Sequence, residues 1–157
     1  MKSYESSMTW QRYHTVWVVL LFGWVANYMA RIGLSPALTP IREEFRLSYS
    51  QAGLLATAFF YAYALMQFPA GHLGDRFGQK RVLVLGAFGW AVATFCTGLS
   101  TTYTTLFTAR FVTGLFQGCY FSNDRPIIAA VTPKEKMGFG QGVSFTGLGI
   151  GMCLGIH

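Results

Sequence analysis

Acidic residues are scarce in this chain. Six Asp and Glu stand against twelve Lys and Arg, and charged residues of both signs make up 11% of its 157 positions, where a soluble domain carries about 25%. That shortage excludes an ordinary water-soluble domain. Cysteine is also sparse. Cys96, Cys119 and Cys153 are odd in number, sit in apolar runs and have neither disulfide-framework nor metal-ligand spacing, so they are read as small buried hydrophobes. No G-x-x-x-x-G-K-[ST] phosphate loop occurs. No Ser-His-Asp or metal-ligand constellation can be assembled either, and His14 and His72 fall at span ends, so an enzyme, a metal and a cofactor are not expected. Residues 1–14 lack an apolar core followed by a small-residue cleavage site, which makes them a cytoplasmic tail and not a cleaved signal.

Long uncharged runs fill the rest. Hydrophobic residues make up 52% and aromatics 17% of the chain, and at ~1.5 Å per residue some 20 residues cross a ~30 Å hydrocarbon core. The runs predict transmembrane helices over about 15–38, 51–71, 82–99, 103–130 and 137–157. The fold class is therefore an all-α membrane protein with four complete spans and a truncated fifth, residues 15–157 forming one membrane unit. Trp10, Tyr13 and Trp17 suit an interfacial belt. Pro36 and Pro40 weaken the end of the first span, and Arg42, Glu43, Glu44 and Arg46 form the loop after it. Ser48 or Ser50 can cap the second span. Ser100, Thr101 and Thr102 after Gly98 supply the turn before the fourth, and Pro133 to Lys136 the loop before the fifth. Lys2, Arg12, Arg76, Lys80, Arg81, Lys134 and Lys136 flank one membrane face against Arg42 and Arg46 on the other. The excess marks the cytoplasmic side and puts the N-terminus there, in a plasma or inner membrane. It also accounts for the +6 net charge without a nucleic-acid partner.

Between the second and third spans lies G-H-L-G-D-R-F-G-Q-K-R, residues 71–81. Asp75, Arg76, Lys80 and Arg81 must lie outside the bilayer, and Gly71, Gly74 and Gly78 are expected to let two helix ends meet and reverse. This stretch resembles the signature loop of the major facilitator superfamily, in the topological place that family has it, with Gln79 departing from the usual basic residue. The resemblance implies a twelve-helix transporter in two six-helix halves, of which this chain is read as an N-terminal fragment. It also implies a gating role for Gly71, Gly74, Asp75, Arg76, Gly78, Lys80 and Arg81, since in the family the loop's Asp and Arg hold the cytoplasmic ends of the halves together in one access state.

Charges inside a span cost ~2.5 to 3.5 kcal/mol on insertion scales and face the bundle interior. Arg31 lies ~24 Å up from the inner end of its span and Arg110 ~10 Å down from the outer end of the fourth, so both reach the outer half of the core. Two guanidiniums facing one cavity make a fork for a carboxylate or phosphate; the alternatives are snorkelling of Arg31 and backbone bonding by Arg110. Arg110, Gln117 and Asp124 share one helical stripe by sevenfold spacing, with Gly114 and Gly118 leaving room beside it. Gln117 is placed mid-membrane, and Asp124 is read as an interfacial ion pair with Arg125. Gly147, Gly151 and Gly155 mark a close-packing face on the fifth span.

N-Y-M-A-R at 27–31 and R-F-V-T-G-L-F-Q-G at 110–118 are similar to segments of the organic anion:cation symporters, and G-L-F-Q-G also resembles the organophosphate:phosphate antiporters. That likeness implies substrate-binding roles for Asn27, Tyr28, Arg31, Arg110 and Gln117. Ala30 and Gln117 stand where the symporters carry carboxylates, so these helices are not expected to carry a proton. Met152 and Ile156 depart from the fifth-helix signature of drug exporters. The expected function is alternating-access transport of a small organic anion: a sugar acid, carboxylate or organophosphate, by symport or antiport. The alternatives are a sensor or assembly partner that moves nothing, or a carrier of neutral sugars or drugs.

Overall fold

A computed structural model describes residues 10–156, all helix and short connection. Helix α1 (Arg12–Ile32) starts at Gln11, whose N–H donates to His14 Nδ1 at 2.9 Å. Gly33 then bends the chain into α2 (Leu34–Glu44). The bend falls just before Pro36, whose ring conflicts with the carbonyl of Ile32 four residues back. Pro40 lies within α2, so Arg42, Glu43 and Glu44 are helical and not the loop expected. Together α1 and α2 run 33 residues, ~50 Å, longer than a ~30 Å core needs.

Helix α3 (Tyr49–Phe77) is capped by Ser48, whose Oγ accepts from Gln51 N–H at 3.2 Å while Gln51 Oε1 accepts from Ser48 N–H at 2.9 Å. It is longer than the 51–71 expected. Gly71 and Gly74 are helical, and the reversal into α4 (Gln79–Gly98) is made by Gly78 alone, at φ 94°. One left-handed residue is enough, because Gly78 N–H still caps Gly74 C=O at 2.9 Å while Gly78 C=O already accepts from Val82 N–H. Thr102 caps α5 (Tyr103–Val131), and a 3₁₀ turn at Lys134–Lys136 leads to α6 (Met137–Ile156).

Helix α5 is the centre. It runs parallel to α3, where Gly114 abuts Phe59 C=O and Gly118 abuts Tyr63 C=O, and packs against α4 through Phe116 and Cys119 on Gly86. The room expected beside Gly114 and Gly118 is therefore filled by α3 backbone. Helix α6 lies parallel to α1, Gly147 seating on Leu21 C=O and Gly151 on Val25 C=O, so its glycine stripe is a packing face.

Among the described residues four helical segments are long and apolar enough to cross a membrane: 12–44, 49–77, 79–98 and 134–156. Helix α5 does not reach that apolarity because it carries Arg110, Thr113, Gln117, Asn123 and Asp124, all buried. Polar groups inside and apolar groups outside is the arrangement lipid demands, and Phe88 and Phe95 are accordingly exposed. Cys119 is buried, but Cys96 and Cys153 are exposed. This corrects the reading of all three as buried: a thiol is apolar enough to face lipid.

Candidate functional site

Side chains, not close backbone, join α1 to α5. Trp17 Nε1 donates to Thr132 Oγ1 at 2.9 Å, Trp24 Nε1 to Asp124 Oδ2 at 2.8 Å, and Tyr120 OH to Leu20 C=O at 3.1 Å. At the upper end of this seam Gln117 Nε2 donates to Asn27 C=O, and Arg31 Nε donates to Gln117 Oε1, both at 3.3 Å. Gln117 is wholly buried. Its amide bonds α1 and orients Arg31.

The Arg31 guanidinium turns inward, so it does not snorkel. Its carbon lies 4.3 Å from the Tyr63 ring centre, 4.8 Å from Tyr28 and 5.4 Å from Phe59, and Nη1 donates to Tyr28 OH at 3.5 Å. Arg110, 3% exposed, lies over the same Phe59 ring at 4.8 Å. Arg31 Nη2, Arg110 Nε and the Asn27 side-chain oxygen are buried without a hydrogen-bond partner. A desolvated donor left unpaired costs ~1 to 3 kcal/mol, more for a charged group. Two such donors beside one ring therefore make a site short of an acceptor.

No carboxylate fills the gap. Among the described residues the acids are Glu43, Glu44, Asp75, Asp124 and Glu135, and only Asp124 is buried. Here the structure corrects the sequence reading. Asp124 is 1% exposed and accepts from Trp24 and from the Arg125 backbone N–H at 2.8 Å, while the Arg125 guanidinium lies over Phe121 and Phe145. It is not an interfacial ion pair. Counting residues measures depth along the axis but not the facing, and this face points at α1.

The Gly71–Arg81 group lies apart from this site. Asp75 is 16 residues beyond Phe59 on α3, ~24 Å along the helix. Asp75, Arg76, Lys80 and Arg81 are exposed, with Gln79 Nε2 donating to Asp75 at 3.5 Å. Gly74 is buried against Asn123, whose Nδ2 donates to Ala70 C=O at 3.1 Å and Cys119 C=O at 2.8 Å. Phe59, Tyr63, Trp24 and Asn123 were missed from sequence. The i, i+4 spacing of Phe59 and Tyr63 beside Phe60 and Tyr61 was the available signal, but it does not say which pair faces inward.

The sequence profile of the Major Facilitator Superfamily matches residues 20–156. Over 138 residues the chain is 37% identical to a probable sulfoacetate transporter of Cupriavidus necator, covering 87% of this chain and 32% of that one. It is 34% identical over 134 residues to a probable galactarate/D-glucarate transporter of Escherichia coli K12, at 80% and 30% coverage. A D-galactonate transporter of another E. coli strain is 30% identical over 143 residues, at 91% and 33%. Among solved structures, a bacterial homolog of the human lysosomal transporter Spinster, inward-facing and occupied, superposes with a TM-score of 0.85 at 23% identity, over 91% of this chain and 31% of that one. The chain thus spans about a third of the length of the relatives it matches.

Proposed function

This chain belongs to the major facilitator superfamily, and we propose on that footing that the whole protein is a secondary transporter of a small organic anion, bound where Arg31 and Arg110 share Phe59. One observation carries the reading: the half-buried Arg31 and the buried Arg110 each keep a buried N–H without a partner, and no carboxylate among the described residues lies beside them. An anion with two or more acceptor oxygens supplies what both lack, through charge-assisted bonds. Names of the relatives, for sulfoacetate, galactarate or glucarate and galactonate, support that substrate class.

The residues divide the work. Arg31 and Arg110 bind the anion; Gln117, fixed to Asn27, holds Arg31 in its aromatic bay; Tyr28 and Asn27 border the substrate with a hydroxyl and a free amide oxygen. The polar cluster around Gly78, with Asp75 and Arg76, gates the N-terminal side through contacts with the rest of the protein, so that access alternates about the central site. Seven basic residues flanking that side against two support a cytoplasmic side there, in a plasma or inner membrane.

The test is uptake by the full-length protein in vesicles of labelled D-galactonate, galactarate and sulfoacetate, with a neutral hexose as control. Accumulation of at least one anion and not of the hexose is expected. Hexose uptake, or binding of an anion with no flux, contradicts the reading.

A further inference from the structure

The arginines of this chain do not stop at the central site. From Arg110 the Phe59 ring leads to Arg31, and from Arg31 the Tyr63 ring leads on. Tyr63 meets Phe121 edge-on, ring centres 6.0 Å apart, and Phe121 lies 4.3 Å under the Arg125 guanidinium, which Phe145 of α6 flanks at 4.5 Å. Cations and rings thus form a continuous chain, with Tyr63 and Phe121 meeting ring to ring, from the outer half of the bundle toward the Gly78 end.

Arg125 borders a cleft of about 600 Å³ between α3 and α5, with Gln67, Phe121 and Ser122, a size within the range of small-molecule sites. Arg125 lies eight residues beyond Gln117 on α5, and Gln67 eight beyond Phe59 on α3, so both helices place the cleft ~12 Å below the central site. Among the described residues Arg125 is the one charged group lining it. Among the described residues its neighbour Asp124 makes no direct ion pair with the guanidinium, Trp24 Nε1 and the Arg125 backbone N–H each bonding one of its two oxygens. Rings at Phe121 and Phe145 cover the guanidinium and leave its N–H edge for an acceptor, the geometry of a cation stacked and still able to bind a carboxylate or phosphate.

We propose that Arg125, with Gln67, is a second anion station, occupied by the substrate between the central site and release on the side of the Gly78 corner. It rests on the anion-transport reading above. A planar oxyanion leaving Arg31 slides past the Tyr63 and Phe121 rings and is taken up by the next guanidinium.

The test measures half-saturation from each side of vesicles holding the full-length protein. The probe is whichever of D-galactonate, galactarate and sulfoacetate the wild type carries fastest. Arg125→Gln is expected to raise KM on the Gly78 side by ~10-fold or more, the loss of one charge-assisted contact, and to leave the opposite side within about twofold. Arg125→Lys, which keeps the charge but not the stacked fork, restores part of it, and Arg31→Lys raises KM on both sides. Gln67→Glu, which puts a negative charge into the cleft, reproduces the one-sided rise and decides the matter if Arg125→Gln does not insert. Wild-type KM on both sides in Arg125→Gln, or an equal rise on both that Lys does not rescue, overturns the station and leaves the central site standing. A wild type that carries none of the three anions overturns the transport reading and this one with it.

Discussion

Gln117 on α5 holds Arg31 on α1: the arginine Nε donates to its Oε1 at 3.3 Å while its own amide is anchored to Asn27 C=O. The amide is therefore a support, and its removal acts on the site through Arg31.

Gln117→Leu should leave insertion intact but let the Arg31 guanidinium swing, raising anion KM by ~10-fold with a smaller change in maximal rate. Gln117→Glu is the sharper variant. A carboxylate at this position pairs with Arg31 and competes with the substrate, so KM should rise at neutral pH and fall again as acid protonates the new side chain. Uptake against pH checks it; a KM equal to wild type at every pH shows that Gln117 supports nothing.

The three signature glycines should separate by variant. Gly71→Ala meets open space and should be tolerated, even gaining from helix propensity. Gly78→Ala puts a side chain at φ 94°, a strained conformation costing ~1 to 3 kcal/mol, and Gly74→Ala drives a methyl into Asn123. Thermal unfolding in detergent should rank Gly71→Ala above both. Equal melting temperatures would remove the single-residue corner from the account.

Much of the architecture could be read from residue order, for physical reasons. Uncharged runs long enough to span lipid have few other uses; Ser48, one of the two cap candidates, caps α3, and the expected Ser100 to Thr102 turn falls just before α5. Counting from opposite faces puts Arg31 and Arg110 at one level, and in the structure both lie over Phe59. What failed was facing. Gly71 and Gly74 read as turn residues because glycine favours turns, yet a membrane helix tolerates glycine, and Gly74 lets Asn123 approach. Asp124 reads as interfacial because depth is one coordinate and rotation about the axis another. The aromatic bay was hidden among four neighbouring rings, Phe59, Phe60, Tyr61 and Tyr63.

Asp124 should prove structural through Trp24. Asp124→Asn keeps an oxygen for the Trp24 N–H and should fold, while Asp124→Leu leaves that buried donor unpaired and should cost ~1 to 3 kcal/mol. Trp24→Phe with Asp124→Leu should recover part of the loss, because both polar partners are then gone. Unfolding of wild type, Trp24→Phe, Asp124→Leu and the double variant measures the coupling; additive losses show that the pair does not interact.

The central claim is that Arg31 and Arg110 ligate one anion, and equilibrium binding to the full-length protein tests it most directly. Using the anion of highest wild-type uptake, dissociation constants are compared for wild type, Arg31→Lys, Arg110→Lys and the double variant. A shared ligand predicts at least ~10-fold weakening in each single variant, since Lys keeps the charge but loses the planar fork, and a double loss well short of the product of the two. Wild-type affinity in either single variant, or losses that multiply fully, contradicts a shared site.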